Sequence, residues 1–208
     1  MTRLWRICSK FVAATVLGNG IMNAATIEGN VHLTVSSSSS HVRQQLLSDI
    51  AVWLEPVHVP LMPVAQPAHV TLLQKNKTFT PHVLIVSVGT VVDFPNADPI
   101  FHNAFSSFDG QIFDIGLYPP GSSRSVRFRR PGVVRVFCNI HPAMSALIIV
   151  VDTPYFTKVN REGQFRLVNV SDGDYELHTF DERSTAAPET RSVLSVTGAN
   201  VTVQPLSI

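Results

Sequence analysis

The side chains best suited to chemistry lie in one short stretch, Cys138-Asn139-Ile140-His141-Pro142-Ala143-Met144, and in the pair His102-Asn103 upstream. A thiol, an imidazole and a thioether fall at positions i, i+3 and i+6, just after the apolar run Val133–Phe137. With His102 they offer two imidazoles, one thiolate and one weak thioether. Soft sulfur suits Cu(I) and imidazole suits both oxidation states, so the donor set points to one mononuclear copper ion exchanging single electrons. In such a centre Cys138 is a thiolate with a short covalent bond to copper. His102 and His141 complete a roughly trigonal plane, and Met144 is a long axial donor. Singly these residues say little, since a lone Cys in a strand is most often a small buried hydrophobe. Their order carries the reading.

Four donors on loops need a stiff frame to hold one geometry in two redox states. The chain supplies β signals almost throughout: Ile27–Val35, Ile50–Leu54, Val83–Val88, Val91–Phe94, Val133–Phe137, Ala146–Val151 and Gln164–Val170 are apolar and rich in β-branched residues, with turn residues between them. Short strands at this spacing predict an all-β sandwich. The one helix expected is His41–Ser48. Ser36–Ser40 reads as a low-complexity linker, and Pro56, Pro60, Pro63 and Pro67 as an extended connector. Gln164–Val170, the turn Ser171-Asp172-Gly173-Asp174 and Tyr175–Leu177 are expected to form a hairpin, with Phe165, Leu167, Tyr175 and Leu177 turned to a core. Three parts follow: residues 26–69 with the connector, 70–151 with the ligands, and 152–208, whose strands could pair with 26–58.

The 208 residues, 45% hydrophobic and 15% charged, suffice for one large or two small domains. Without a basic stripe, nucleic-acid binding has no support. Arg3, Arg6 and Lys10, the apolar Phe11–Met22 and the small pair Ala24-Ala25 read as a cleavable export signal over residues 1–25, placing the protein in the periplasm. That apolar run is too short to span a bilayer, so no stable membrane insertion is expected. Removing it takes Cys8 and three cations and moves the formal charge from +1 to −2. Cys138 is then the sole thiol, and metal ligation would protect it from oxidation.

The segment 70–151 resembles the cupredoxins, the blue-copper family that includes plastocyanin and amicyanin. The likeness is carried by Phe79-Thr80-Pro81, by Gly89-Thr90-Val91-Val92-Asp93-Phe94 leading to Asn96-Ala97-Asp98, by His102-Asn103, and by Pro131-Gly132 opening the strand to Cys138. The loop follows the amicyanin pattern Cys-x-x-His-Pro-x-Met. The resemblance implies a Greek-key β-sandwich with His102, Cys138, His141 and Met144 as copper ligands. The flanks, through Ile27-Glu28-Gly29-Asn30-Val31, Ala51–Pro56 and Gly163–Leu177, are similar to carboxypeptidase-regulatory, transthyretin-like sandwiches. The whole resembles bacterial plastocyanin-like proteins labelled methylamine utilisation proteins.

One departure is Ile140, where amicyanin has proline. Its N–H, with that of Asn103, is expected to bond the Cys138 sulfur and raise the reduction potential. His82 reads as packed or surface, and His32, His41, His58, His69 and His178 as non-ligands. Arg124, Arg127, Arg129 and Arg130 read as a solvated face that could meet an acidic partner. Asp172 and Asp174 read as turn formers. No Ser-His-Asp set or three-histidine cluster supports an enzyme. Two functions follow: an electron carrier between redox proteins, docking by the apolar edge at His141, Pro142 and Ala143, or a copper storage, delivery or assembly module with the flanks as platform.

Overall fold

A computed structural model describes residues 24–33, 39–58, 69–107, 110–184 and 188–207. Most of the expected export signal and of the serine tract, together with Pro60, Pro63 and Pro67, lies outside them. The helix α1 spans Ser40–Ser48, and its N-cap Ser39 and first residue Ser40 come from the serine tract. The strands are β1 (Ala25–His32), β2 (Ala51–Pro56), β3 (Val70–Thr71), β4 (Leu73–Lys75), β5 (Thr78–Thr80), β6 (Val83–Ser87), β7 (Val91–Pro95), β8 (Phe105–Ser106) and β9 (Phe113–Asp114). They continue as β10 (Ser123–Arg127), β11 (Gly132–Phe137), β12 (Ser145–Val151), β13 (Phe156–Lys158), β14 (Gln164–Val170), β15 (Gly173–Phe180), β16 (Glu189–Val196), β17 (Val201–Thr202) and β18 (Leu206–Ser207). The protein is all-β, as its sequence implies.

Among the described residues four sheets stack in layers, and β4-β5 makes a fifth, two-stranded sheet. The outer sheet β10-β7-β3 faces β6-β12-β11-β8-β9. Between them lies a core that includes Val92, Phe94, Phe128, Val134, Val136, Ile148, Cys138 and Met144. On the other side, β13-β2-β15-β16 faces the sheet β14-β1-β17, with β18 also on β1. Ile27, Ile50, Leu54, Phe165, Leu167, Tyr175 and Leu177 fill that gap. A third core joins the two middle sheets, made by Ala51, Trp53, Val83, Ile85, Leu147, Ile149, Val151 and Phe180.

This stacking explains a pattern in the sequence. Ala146–Val151 is an unbroken apolar run because β12 is covered on both faces: Ala146, Ile148 and Val150 enter one core, Leu147, Ile149 and Val151 the other. Strand β2 is buried on both faces for the same reason, with Val52 and Leu54 on one side and Ala51 and Trp53 on the other. Polar contacts reinforce the join. His82 Nε2 lies 2.7 Å and Arg135 Nη1 3.6 Å from Glu182, and the Lys158 ammonium donates to the Val83 carbonyl at 2.7 Å. His82 is thus a packed residue of the junction.

Two details differ from expectation. The strands β14 and β15 do not form a hairpin: β14 pairs with β1, whereas β15 pairs with β2 and β16. Their alternating apolar faces meet across the core instead. The corner between them is held by tyrosines, since Tyr175 donates its hydroxyl to the Ser171 carbonyl at 2.9 Å and the Ser171 N–H donates to the Tyr155 hydroxyl at 3.3 Å. Strand β1 also begins at Ala25, which is buried and paired with Val170, so the fold includes a residue at the expected cleavage point.

Ile149 tests the middle core. Truncating a buried aliphatic side chain removes transfer free energy and leaves a cavity, so Ile149→Ala should cost about 2–5 kcal/mol. A urea titration showing less than about 1 kcal/mol would mean that the two pairs of sheets do not depend on this contact.

Candidate metal centre

The antiparallel pair β11–β12 runs in unbroken register from Gly132↔Val150 to Phe137↔Ser145. The residues between that last pair form the loop Cys138–Met144. It starts with the thiol at the end of one strand and returns the thioether at the start of the next. Inside the loop the Met144 N–H donates to the His141 carbonyl at 2.8 Å. His102 arrives from the opposite sheet, after β7. Its backbone bridges to Tyr118, with Tyr118 N–H on the His102 carbonyl at 2.9 Å.

Side-chain donor atoms of His102, Cys138 and His141 all lie within 4.8 Å of one another. His102 is fully buried, Cys138 is 2% exposed and Met144 1%, while His141 is partly exposed. The two rings stand 5.0 Å apart, tilted by 57°. His102 Nδ1 sits 3.6 Å from Cys138 Sγ. Its other nitrogen, Nε2, is 2.8 Å from Asp98 Oδ2. A carboxylate on Nε2 keeps the proton there and leaves Nδ1 as the free donor facing the sulfur.

Asp98 is itself prepared. The β4–β5 turn holds Asn76 and Lys77 at φ 54° and 56°, the left-handed pair that a tight two-residue hairpin requires. This turn aims both amides at Asp98, Asn76 N–H at 2.6 Å and Lys77 N–H at 2.8 Å. Burial alone would push the Asp98 carboxyl up. The Lys77 N–H, the His102 ring and the Asn76 N–H outweigh it and hold the carboxyl below its ordinary range.

A second buried chain fixes the same segment. Tyr118 donates its hydroxyl to Gln74 Oε1 at 2.7 Å, and Gln74 Nε2 donates to the Asn103 carbonyl at 3.1 Å. The Asn103 side-chain carbonyl then accepts the Asn139 N–H at 2.8 Å, tying the His102 segment to the Cys138 loop. Burial pushes the Tyr118 phenol well up, with the nearby Cys138 adding to it, so the hydroxyl remains a donor. In the sequence Asp98 stands only as the end of the motif Asn96-Ala97-Asp98, with no role of its own, and nothing there points to Gln74 or Tyr118. The signal available was the Asp98/His102 spacing of four residues.

Among the described residues, no hydrogen bond to the Cys138 sulfur from the N–H of Ile140 or of Asn103 is found, contrary to expectation. Asn103 serves through its side chain instead, and Ile140 sits half-exposed at a bend. The arginines are mixed. Arg124 braces the loop before Tyr118 through the Ile115 and Leu117 carbonyls, and Arg127 donates to the Gly89 carbonyl at 2.8 Å.

Whether the residues fit a metal is decided by His141. Its Nδ1 is buried and has no hydrogen-bond partner. An unpaired buried polar atom is costly, and here it belongs to the group that carries a thiol and a second free imidazole nitrogen. One thiol and two imidazoles suit copper, with buried Met144 beside them in the chain. His102, Cys138 and His141 could hold the ion.

No family model matches the chain, and no curated protein matches it. Solved structures do. A purple cupredoxin from Nitrosopumilus maritimus is 25% identical over 41% of this chain and 100% of that one, with a TM-score of 0.36. A copper-containing nitrite reductase from Thermus scotoductus SA-01 is 24% identical over 58% of this chain and 28% of that one, with a TM-score of 0.39. A Cu(I) structure of an amicyanin variant is 18% identical over 43% and 87%, with a TM-score of 0.38. These neighbours are copper proteins matched over part of the chain. The assignment of the centre rests on its own atoms.

Two predictions follow from the electrostatics. Asp98→Asn removes the carboxylate that orients His102, and such supporting groups are worth roughly 10–100-fold in metal affinity. Cu(II) affinity by competition titration should fall within that range, and an unchanged affinity would exclude the support. The second concerns His141, whose pKa is lowered by desolvation first and then by His102 and Lys77, with Asp98 opposing. A depressed histidine binds its proton less readily folded than unfolded. Stability of the metal-free protein should therefore decline as pH falls below about 6.5, the unfolded value, and level off below the folded one. His141→Asn should flatten that part of a melting-temperature profile.

Proposed function

We propose that the protein is an exported mononuclear blue-copper electron carrier with no substrate of its own. His102, Cys138, His141 and Met144 would hold the ion. The observation that carries this reading is the buried, unpartnered Nδ1 of His141, a residue whose donor atom lies within 4.8 Å of those of His102 and Cys138. Bound there, copper would supply a one-electron couple. The protein's part is to keep the donors still: the β11–β12 ladder fixes Cys138 and Met144, Asp98 sets the His102 tautomer, and the Gln74–Tyr118–Asn103 chain locks the two loops together.

The partly exposed His141 supplies an exit. Phe101, Leu117 and Ile140, each adjacent to a residue of the centre or its bracing, are 51%, 53% and 49% exposed. With the exposed Pro142 and Ala143 they would give a redox partner apolar side chains to meet. Transient redox encounters use small surfaces of this kind. Export to the periplasm rests on the sequence of residues 1–25. Among the described residues no helix is long and apolar enough to cross a membrane.

A second reading is copper storage, delivery or assembly, favoured by the additional sheets, which a simple shuttle does not need. In it the transthyretin-like flanks would be the docking platform. Electron self-exchange separates the two. A carrier exchanges rapidly, whereas a delivery protein passes Cu(I) to an acceptor and is slow in redox.

Cys138→Ser should abolish the intense visible absorption of the copper-loaded protein while leaving its far-UV circular dichroism intact. Retained colour would place the metal elsewhere. Met144→Leu should keep copper bound and shift the potential measured by voltammetry, because a long axial donor tunes more than it holds. An unchanged potential would assign Met144 to the core alone.

A further inference from the structure

The tight turn between β4 and β5 does more than hold Asp98. We propose, resting on the electron-carrier reading, that this turn docks a redox partner with an acidic face through Lys75 and Lys77.

The fully buried His102 has a short connection to the surface. Its Nε2 lies 2.8 Å from Asp98 Oδ2, and the same oxygen accepts the Lys77 N–H at 2.8 Å. Two hydrogen bonds therefore lead from the ring to an exposed residue. The other carboxylate oxygen takes the Asn76 N–H, so both amides of the turn are committed inward. Left-handed backbone at Asn76 and Lys77 is what aims them together.

What the turn shows to solvent is positive charge. Lys75, Asn76, Lys77 and Thr78 are all exposed, and the Thr78 hydroxyl is folded back onto the Lys75 carbonyl at 2.7 Å. Among the described residues neither ammonium meets a carboxylate, whereas Arg135, Lys158, Arg166, Arg183 and Arg191 each do. Asp98, beneath the turn, is buried and already holds two amides and an imidazole, so it offers them no partner. The chain as a whole is close to neutral, with 16 Lys and Arg against 15 Asp and Glu. An unpaired lysine pair on such a chain is a local field.

That field reaches the exposed side of the centre as well, since Lys77 is among the groups that disfavour a proton on His141. A partner whose carboxylates met Lys75 and Lys77 would stand over the hydrogen-bonded route to His102 and within the same field as His141. Complementary charge of this kind speeds encounter and fixes orientation more than it adds affinity, which suits a partner that must leave again. A basic partner would be repelled from the same place.

Hexacyanochromate(III), a paramagnetic and redox-inert trianion, is the probe. Titrated into isotope-labelled Cu(I) protein at low salt, it should broaden the amide resonances of Lys75–Thr78 selectively, and added salt should remove the effect. The double variant Lys75→Gln, Lys77→Asn keeps a residue that accepts left-handed backbone at the second position. It should lower the association constant about tenfold, whereas Arg129→Gln, at an exposed arginine of the β10–β11 connection, should not. Oxidation of the Cu(I) protein by hexacyanoferrate(III) should slow in the same double variant. Losing two positive charges favours Cu(II), so that slowing cannot come from driving force. Broadening centred on Arg124–Arg130, an association constant unchanged in the double variant, or oxidation at the parent's rate would each overturn the proposal. Broadening at the turn of a protein that takes up no copper would overturn it through the reading on which it rests.

Discussion

The candidate centre depends on one ladder. Six consecutive residue pairs lock β11 to β12, and the last of them, Phe137↔Ser145, closes the loop that bears Cys138, His141 and Met144. A strand end is among the stiffest places from which a loop can leave, because its backbone bonds are already committed to a neighbour. The donors inherit that stiffness. The ladder in turn is held by burial on both sides of β12, so the loop is anchored to the middle of the molecule and not to an edge.

That burial gives the flanking sheets a mechanical role whatever else they do. Leu147, Ile149 and Val151 would face solvent if the sheet β13-β2-β15-β16 were removed. Trp53, Phe180 and Ala51 cover them, and Glu182 adds contacts to His82 and Arg135. His82 also reaches the Ser145 carbonyl at 3.2 Å, one residue from Met144. The flanks therefore touch the frame of the loop, and a change at the junction has a short route to it.

The opposite sheet contributes order of another kind. His102 is gripped at its ring by Asp98 and at its backbone by Tyr118, and both grips lead to small local structures: a tight hairpin turn and a buried glutamine. Such polar chains inside a core are tolerated only when each member is satisfied. Here Asp98, Gln74 and Tyr118 all are, and His141 Nδ1 stands out because it is not. The contrast makes that nitrogen a functional signal.

Much was legible in the order of residues. Cys138, His141 and Met144 sit within seven residues, so their grouping is a local fact, and their chemistry follows from residue type. The all-β class was equally local, as was the helix near His41, because strand and helix periodicity extend over a few residues. Tertiary structure decided the rest. Alternation in Gln164–Val170 and Tyr175–Leu177 shows that each strand has a buried face, but not whether the two pair edge to edge or meet across a core; that depended on distant β1 and β2. The unbroken apolar run of β12 could signal burial on both sides without naming what covers it. The hold of the Asn76–Lys77 turn on Asp98, the chain from Tyr118 through Gln74 to Asn103, and the meeting of His178 with Glu55 join residues far apart in the sequence. Such contacts are set by register and packing, which no short window of sequence contains.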